Sequence, residues 1–330
     1  MRVLVTGGAG FIGSHYVRQA LSGAYPALAG AEVVVLDKLT YAGNEANLAP
    51  VADSPRLRFV RGDITDGRML DEVLKGVDLV VHFAAESHVD RSIVGSADFV
   101  LTNVLGTQTL LQAALDAGVG RFVHVSTDEV YGSIESGSWS EDHVLEPNSP
   151  YSASKASSDL IARSYFRTHG LPVCVTRCSN NYGPYQFPEK VIPLFVTNLL
   201  DRRTVPLYGD GLNVRDWLHV DDHCHGIQLV ADGGRPGEIY NIGGGTELTN
   251  RELTERLLAA VGVGWERVEP VDDRKGHDRR YSVDITKISN ELGYAPRVSF
   301  DEGLADTVRW YADNRAWWEP LKRRAALVGK

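Results

Sequence analysis

Residues 3–13 read VLVTGGAGFIG, so a short apolar run leads directly into a glycine-rich turn. The glycines of the turn fit the spacing G-x-G-x-x-G, and one more glycine precedes them. We predict a strand over residues 3–6 and a helix over about residues 13–21. Glycines in such a turn let the backbone approach a pyrophosphate, and the helix start offers free N–H groups. The cofactor contacts predicted here are Gly7, Gly10, Phe11, Ile12 and Gly13.

The alternation of apolar runs and helical patterns continues along the chain. Near-continuous apolar strands that alternate with helices indicate a parallel sheet covered on both faces. We therefore predict an α/β fold with a Rossmann-type doubly wound parallel sheet. Further strands are predicted over residues 32–36, 57–61, 79–83, 121–126, 173–177 and 239–242, and further helices over residues 103–117 and 150–169.

The last third of the chain contains more glycine, proline and charge, and its strand patterns are weaker. We predict that it forms most of a smaller α/β substrate-binding lobe over the carboxyl edge of the sheet. The dinucleotide-binding Rossmann domain would consist of residues 1–180 and 214–246. The smaller lobe would consist of residues 181–213 and 247–330.

Charge and cysteine content exclude several classes of partner. The 330 residues carry a formal net charge of −9, whereas a nucleic-acid-binding protein needs a basic face. Three cysteines cannot all pair within one chain, so we expect reduced thiols and a cytoplasmic protein. No apolar run approaches the roughly 20 residues that cross a bilayer, so we expect no membrane partner.

The run Asp221 to His225 (DDHCH) has the composition of a metal site. Ligands of a metal converge from spaced positions, whereas five consecutive residues on a helix point around the whole axis. We therefore predict that Asp221 or Asp222 caps a helix and that the protein binds no metal.

Asp37 ends the second predicted strand, where an acidic residue can accept hydrogen bonds from an adenosine ribose. A carboxylate at this point would repel the 2′-phosphate of NADP, so we predict NAD as the cofactor. The next residue, Lys38, is a cation, and its charge argues in the opposite direction. Asp63 and Ile64, at the end of the third strand, are candidates for the adenine edge.

Tyr151 and Lys155 form a Y-x-x-x-K pair just inside a predicted helix, with Ser149 as its N-cap and Pro150 at its first position. Positions i and i+4 share one helix face, so the ammonium would lie beside the phenol. A phenol has a pKa of about 10 and is a poor base at neutral pH. A nearby cation would lower that pKa, which predicts a catalytic tyrosine.

Thr127, Asp128 and Glu129 follow the fifth predicted strand at the sheet edge where ligands bind in doubly wound folds. Two adjacent carboxyl groups repel each other when both are ionised, which separates their pKa values. One could remain protonated as an acid while the other acts as a base. Thr127 could bond a sugar hydroxyl, so we predict these three residues to be catalytic.

Longer motifs surround these residues and carry a family resemblance. With them, the chain resembles the extended short-chain dehydrogenase/reductase superfamily and, within it, the dTDP-glucose 4,6-dehydratases, over residues 1 to about 318. The Thr-Asp-Glu triplet is the discriminating motif, since the related epimerases lack the Asp-Glu pair. The motifs are TGGAGFIGSH (6–15), LDKLTYAGN (36–44), HFAAESHVDRS (82–92), STDEVYG (126–132), SPYSASKASSD (149–159), RCSNNYGPYQFPEKVIP (177–193), LYGDGLNVRDWLHVDDH (207–223) and RKGHDRRY (274–281).

The resemblance implies a hydro-lyase with tightly bound NAD that is regenerated in each turnover. Tyr151 would take the proton of the 4-hydroxyl group, Glu129 the C5 proton, and Asp128 would protonate the departing 6-hydroxyl group. Hydride would leave C4 and return at C6. The resemblance also implies a homodimer, in which helices near residues 103–117 and 152–166 could pack across the dimer axis.

The resemblance further implies binding residues for NAD and for dTDP-glucose. Cofactor contacts would include Lys38, Thr40, Ala84, Ala85, Ser87, Thr102, Tyr151 and Lys155. The glucose and first phosphate would contact Ser87, Thr127, Asn180, Glu189 and Lys190. The nucleotide end would contact Pro206, Tyr208, Arg215, Asn250, His277 and Tyr281, with Arg215 as the pyrophosphate cation because its fork matches phosphate oxygens.

Two other functions remain open at this point. The first is a sister enzyme, either a 4-epimerase or a dehydratase that acts on a UDP- or GDP-sugar. The Asp128–Glu129 pair argues against an epimerase, and Asp37 argues against an NADP-dependent GDP-mannose enzyme. The second is a non-catalytic NAD-binding regulator, which would not need Tyr151 and Lys155 together with that carboxyl pair.

Overall fold

The computed structural model describes the backbone of residues 1–328 and the side chains of residues 1–324. Its strands, in chain order, are β1 (Arg2–Thr6), β2 (Glu32–Asp37), β3 (Leu57–Arg61), β4 (Leu79–His82), β5 (Arg121–Thr127), β6 (Val173–Cys178), β7 (Asn180–Tyr182), β8 (Val205–Tyr208), β9 (Val214–His219), β10 (Ile239–Ile242), β11 (Glu247–Thr249) and β12 (Val268–Val271).

The helices lie between these strands. They are α1 (Phe11–Ser22), α2 (Gly67–Val73), α3 (Val89–Val94), α4 (Ala97–Phe99), α5 (Thr107–Asp116), α6 (Pro150–His169), α7 (Val191–Leu200), α8 (Val220–Gly233), α9 (Asn250–Val261), α10 (Thr286–Leu292), α11 (Phe300–Asp313) and α12 (Arg315–Val328). A π-helical stretch, Val100–Gly106, joins α4 to α5.

Seven strands form one parallel sheet in the order β10-β6-β5-β4-β1-β2-β3. The strand order reverses between β1 and β4, which is the topological switch point of a doubly wound fold. The predicted fold class is therefore confirmed. All seven predicted strands are present; β3 and β10 have the predicted bounds, and the others differ by one residue.

The sheet is buried on both faces because its strands are apolar at successive positions. In β1, Val3 and Val5 belong to the hydrophobic cluster under α1 and α8, whereas Leu4 belongs to the cluster under α2, α5 and α6. Side chains of successive strand residues point to opposite faces, so an unbroken apolar run serves both clusters. Because the seven strands are parallel, their carboxyl ends lie at one edge of the sheet.

A second group of elements has its own hydrophobic cluster. A three-stranded sheet of order β11-β9-β7 and a parallel pair of β12 and β8 pack with α7, α9, α11 and the start of α12. The largest buried side chains there include Trp318, Tyr311 and Tyr182. These elements lie beside the carboxyl edge of the seven-stranded sheet, because β7 directly follows β6.

Two local predictions were wrong. The helix predicted over residues 103–117 is regular only from Thr107, since the preceding turn is π-helical. The cap of α8 is His219, whose ring accepts a hydrogen bond from the N–H of Asp221. Asp222 instead accepts the N–H groups of a distant segment, at Arg297 and Val298. That tertiary contact was not visible in the local sequence.

Membrane spans and metal clusters are both absent from the described part of the chain. Within it, no helix is both long and apolar enough to cross a bilayer. No group of three or more His, Cys, Asp or Glu side chains in that part is arranged to hold a metal ion.

A buried ion pair lies between α6 and the sheet. Arg177 donates through Nε to Asp159 at 2.9 Å, and His124 lies 3.3 Å from the other carboxyl oxygen. Burial alone would raise the pKa of Asp159, but Arg177 and His124 hold it at about 2. The stabilisation from this lowered pKa is complete above the ordinary aspartate pKa of about 3.9 and is lost as the pH falls through the folded value.

We expect Asp159→Asn to lower the free energy of unfolding at neutral pH by about 3–5 kcal/mol, because Arg177 would keep a buried charge without a counter-charge. Urea unfolding followed by circular dichroism measures the change. The matched control is Asp306→Asn, which breaks an exposed pair with Arg309 and should cost about 0–1 kcal/mol. Equal losses in the two variants would contradict the argument.

Candidate active site

The glycine turn after β1 is shaped by close backbone packing. Gly7 has φ +68°, and a Cβ atom there would lie 2.6 Å from the backbone nitrogen of Ala84. A Cβ atom on Gly13 would lie 2.4 Å from the carbonyl oxygen of Gly7. No larger side chain fits either position, so the turn brings the start of α1 to the sheet edge. Its N–H groups can face a phosphate there.

Asp37 lies at the end of β2 beside this turn and is buried. Its carboxylate accepts the N–H of Ala9 at 2.9 Å and the N–H of Leu39 at 2.8 Å. Burial raises the pKa of Asp37, and these two bonds oppose the rise. Lys38 pairs with Asp63 at 2.7 Å, so its charge next to Asp37 is partly neutralised. This neutralisation leaves the carboxylate as the dominant charge at the end of β2.

A cavity of about 300 Å³ runs from the glycine turn along the carboxyl ends of the strands. Its walls contain all of the residues that were predicted to contact the cofactor. They are Gly7, Gly10, Phe11, Ile12, Gly13, Asp37, Lys38, Thr40, Asp63, Ile64, Ala84, Ala85, Ser87, Thr102, Tyr151 and Lys155.

The helix that carries the Y-x-x-x-K pair begins as predicted. Ser149 caps α6 in a reciprocal capping box with Ser152, and Pro150 occupies the first turn. Tyr151 and Lys155 lie one turn apart and both line the cofactor cavity. The ammonium group of Lys155 donates to the carbonyl oxygen of Val125 at 2.8 Å, which ties α6 to β5.

The expected lowering of the Tyr151 pKa by Lys155 is not found among the protein groups. Burial, and then the negative charge of Glu129, raise the pKa of Tyr151 well above its ordinary value. Burial also lowers the pKa of Lys155. The protein surroundings alone therefore favour a neutral phenol, because loss of solvation outweighs a cation that bonds to a backbone carbonyl.

Thr127, Asp128 and Glu129 lie where β5 turns into a short 3₁₀ helix. The hydroxyl oxygen of Thr127 accepts the N–H of Glu129 at 3.3 Å, and one carboxyl oxygen of Asp128 lies at the same distance. The other carboxyl oxygen of Asp128 is buried without a hydrogen-bond partner within the described residues. It is therefore available to a bound molecule.

The two carboxyl groups have different electrostatic surroundings. Burial, followed by the charge of Glu129, raises the pKa of Asp128 well above its ordinary value. Burial also raises the pKa of Glu129, but Arg274, Lys190 and Arg215 oppose that rise. Burial and a like charge therefore favour a protonated Asp128, whereas three nearby cations favour ionisation of Glu129.

A second cavity, of about 920 Å³, opens from Glu129 toward the smaller sheets. Four residues border both cavities and form the partition between the two: Glu129, Asn180, Glu189 and Lys190. Two predicted substrate contacts, Ser87 and Thr127, lie on the cofactor side of that partition. The predicted substrate contacts in the larger cavity are Asn180, Glu189, Lys190, Pro206, Tyr208, Arg215, Asn250, His277 and Tyr281.

Arg215 is the buried cation of the larger cavity. One terminal nitrogen donates to the carbonyl oxygen of Asp278 at 3.0 Å, and the guanidinium carbon lies 4.1 Å from the centre of the Tyr281 ring. These contacts hold the guanidinium group in one orientation, which suits a group that binds phosphate oxygens. Lys190 is held similarly, since its ammonium group donates to the carbonyl oxygen of Ser87 at 2.7 Å.

Three side chains of the site were not predicted from the sequence. Asn103, in the π-helical stretch, bonds the backbone of Glu86 twice and the hydroxyl group of Ser154 once. Arg274 lines the larger cavity, although the motif that contains it was recognised. Arg91 pairs with Glu189. Only the presence of Arg91 and Arg274 in quoted motifs could have drawn attention to them.

Known proteins match this chain over nearly its whole length. The family model described as GDP-mannose 4,6 dehydratase matches residues 4–307. A dTDP-glucose 4,6-dehydratase of Streptomyces antibioticus is 67% identical over 327 residues, which cover 99% of this chain and 97% of that protein. One of Streptomyces niveus is 63% identical over 329 residues, which cover 100% and 98%.

Solved structures show the same fold. The dTDP-glucose 4,6-dehydratase DesIV of Streptomyces venezuelae, with NAD and TYD bound, is 71% identical, with a TM-score of 0.97 over 97% of this chain and 100% of that chain. A UDP-glucose 4-epimerase of Thermotoga maritima is 33% identical, with a TM-score of 0.87 over 96% and 100%. The identities are far higher to the dehydratases, and the chain belongs to the dTDP-glucose 4,6-dehydratase family.

Proposed function

We infer that the chain is an NAD-dependent lyase that converts dTDP-glucose to dTDP-4-keto-6-deoxyglucose and water. The observation that carries this function is the pairing of buried Asp128, in the cofactor cavity beside Tyr151, with partly buried Glu129, which borders both cavities. An epimerase needs no acid and base for the loss of water. The relatives at 61–67% identity are dTDP-glucose 4,6-dehydratases.

The residues of the smaller cavity fit NAD. Gly7 and Gly13 leave no room for a Cβ atom, so the backbone of the turn can approach a pyrophosphate. Asp37 places a carboxylate at the ribose position, which disfavours a 2′-phosphate. When bound, NAD supplies the acceptor for hydride from C4 of the sugar and the donor for its return at C6. The solved relatives from Streptomyces venezuelae and Bacillus anthracis contain NAD.

The catalytic residues move protons around that chemistry. The positive charge of bound NAD would lower the pKa of Tyr151, which lines the cofactor cavity, so that Tyr151 takes the proton of the 4-hydroxyl group. Thr127 bonds the same region of the sugar, and Lys155 holds α6 in register through its bond to Val125. A ketone at C4 makes the C5 proton acidic. Glu129 removes that proton while Asp128, which retains its own, protonates the departing 6-hydroxyl group. Glu129 returns its proton to C5 when hydride arrives at C6, and the proton taken by Tyr151 balances the one that Asp128 gives up. Each positioned acid or base contributes about 10²–10⁴-fold in rate.

The larger cavity provides contacts for the sugar nucleotide. Arg215 provides charge for the pyrophosphate, and Asn250 lies at the N-terminus of α9, where backbone N–H groups favour an anion. The position of glucose, beside Glu129, is surrounded by Ser87, Asn180, Glu189 and Lys190. The nucleotide end is assigned to Pro206, Tyr208, His277 and Tyr281.

Mass spectrometry tests the function directly. Purified protein is incubated separately with dTDP-glucose and with UDP-glucose, without added cofactor. We expect loss of one water from dTDP-glucose alone, which would establish the reaction, the base preference and retained NAD together. An isomeric product of unchanged mass would indicate an epimerase. No reaction after NAD is added would favour another sugar nucleotide or a protein that only binds NAD.

We also propose two lobes and a cytoplasmic location. Residues 1–180 and 214–246 would form the NAD-binding lobe, and residues 181–213 and 247–330 the sugar-nucleotide-binding lobe. The separate hydrophobic clusters support this division for most elements; β9 instead belongs to the smaller three-stranded sheet, and Ile288 of α10 packs in a cluster of the NAD-binding lobe. The three cysteines are buried and free, as in proteins of a reducing compartment.

A homodimer is proposed from an exposed apolar surface. Apolar side chains project into solvent from α3, the π-helical stretch and α6, the region where the resemblance places the dimer axis. They are Ile93, Val94, Val100, Leu101, Leu105 and Leu160. Grouped apolar side chains on a surface are typical of interfaces, and two copies related by a two-fold axis would cover them.

We expect the double variant Leu101→Glu, Leu160→Glu to sediment as a monomer, because two introduced charges would be buried in each half of the interface. Analytical ultracentrifugation gives the mass. Val144→Glu is the matched control, since Val144 is an exposed apolar residue outside this surface. A parent that sediments as a monomer would refute the dimer, and a dimeric double variant would refute this interface.

A further inference from the structure

Three segments from distant parts of the chain meet over the cofactor cavity. They are residues 38–44 after β2, residues 83–88 before α3, and residues 186–190 before α7. Each segment contributes to the wall of the 300 Å³ cavity. Within this wall, residues 38–44 follow Asp37 and therefore lie at the adenosine end. The relative positions of the segments depend on the side chains that join them.

Arg91, on α3, joins two of these segments. Its Nη2 and Nε atoms donate to the same carboxyl oxygen of Glu189, at 2.8 and 3.2 Å. Its guanidinium carbon lies 3.8 Å from the centre of the Tyr41 ring. The edge of the guanidinium group thus binds a carboxylate while its face covers an aromatic ring, a combination that lysine cannot reproduce.

The contact is shielded from water, which strengthens it. The side chains of Arg91 and Glu189 are only 23% and 11% exposed. Screening by solvent and salt weakens exposed ion pairs but affects partly buried ones much less. The Tyr41 ring also packs edge-on against Phe187, with ring centres 5.7 Å apart. Residues 38–44 are therefore fastened to residues 186–190 both directly and through Arg91.

We propose that Arg91 is a positioning residue that retains NAD by fastening residues 38–44 over the cofactor. The proposal rests on the proposed function in one respect, which is that the cavity holds NAD throughout a turnover. Thr40 and Ala42, on either side of Tyr41, line the cavity. Outward movement of this segment would open the cavity at its adenosine end. That movement separates Tyr41 from Arg91, so the contact slows release.

The test is the rate of NAD release from the intact protein without any sugar nucleotide. NAD-loaded protein is mixed with excess fluorescent etheno-NAD, and the exchange is followed by fluorescence. We expect Arg91→Met to release NAD about tenfold faster than the parent. Arg91→Lys should lie between the two, because its ammonium group keeps the charge but not the planar face. The matched control Arg309→Met removes an exposed arginine that pairs with Asp306 and should match the parent.

A second variant shows whether the contact acts as a unit. Tyr41→Leu should also accelerate release, and the Arg91→Met, Tyr41→Leu double variant should be little faster than the faster single variant, because both remove the same contact. Melting temperatures of the NAD-free forms separate this effect from a general loss of stability.

A release rate in Arg91→Met within about twofold of the parent would overturn the proposal. Should that variant not fold, parent-like release in both Arg91→Lys and Tyr41→Leu would overturn it equally. A parent that binds no NAD would refute the proposed function together with this inference. A parent that retains NAD but leaves dTDP-glucose unchanged would refute the function alone, since release is measured without the sugar.

Discussion

Tyr151→Phe will lower the turnover of dTDP-glucose by about 10²–10⁴-fold, because the phenol oxygen is the group placed to take the 4-hydroxyl proton. The substitution removes one oxygen and keeps the ring, whose edge contact with Phe99 is part of the packing of α6. The variant should therefore fold and purify with NAD. Steady-state rates of product formation, measured by chromatography of the nucleotide sugars, give the effect.

The matched control is Tyr165→Phe, on the same helix but away from the cavities. The Tyr165 hydroxyl group donates to Gln112 at 3.0 Å and accepts from Gln108 at 2.9 Å, so its loss tests structure without catalysis. We expect a slightly lower melting temperature and unchanged turnover. A Tyr151→Phe rate close to that of the control would show that another group takes the proton.

Glu129→Gln will stall the reaction between its two halves. An amide of the same shape cannot take the C5 proton, so the 4-ketone forms but water is not lost. We expect turnover to fall by about 10²–10⁴-fold. We also expect the absorbance of reduced nicotinamide to rise when dTDP-glucose is added, up to one equivalent per site. Stopped-flow spectroscopy measures both the amplitude and the rate of that rise.

Glu141→Gln is the control for this substitution. Glu141 is a partly buried glutamate whose carboxyl oxygen accepts the N–H of Asn241 at 2.9 Å, a bond that an amide oxygen can replace. We expect parent-like turnover and no lasting absorbance. If Glu129→Gln instead turns over like the parent, the base at C5 is a different residue.

Features that depend on local periodicity could be predicted from the sequence. Neighbouring residues impose the backbone conformations of the glycine turn, of the strands and of the N-cap of α6 at Ser149. The i,i+4 relation of Tyr151 and Lys155 follows from helix geometry. The position of Thr127, Asp128 and Glu129 follows from a strand end in a parallel sheet. These features, with the family resemblance, were sufficient to indicate the fold, the cofactor and the reaction.

Features that depend on desolvation could not be predicted in this way. The sequence places Lys155 beside Tyr151, but whether the pKa of the phenol falls depends on burial and on the charge of Glu129. Likewise, two aspartates at the start of α8 resemble caps until Asp222 is found to bond Arg297 and Val298. In both cases the competing partner is distant in the sequence.

The class of the protein follows from its primary sequence, because the cofactor turn, the catalytic helix and the carboxyl pair are contiguous motifs with a local geometry. How those motifs cooperate depends on long-range contacts in the folded chain. Arg91 and Glu189 are 98 positions apart, and no periodicity relates them. Their contact exists because α3 and the segment before α7 fold against the same sheet edge. It joins two segments of the cofactor-cavity wall through a guanidinium group whose partners lie far away in the sequence.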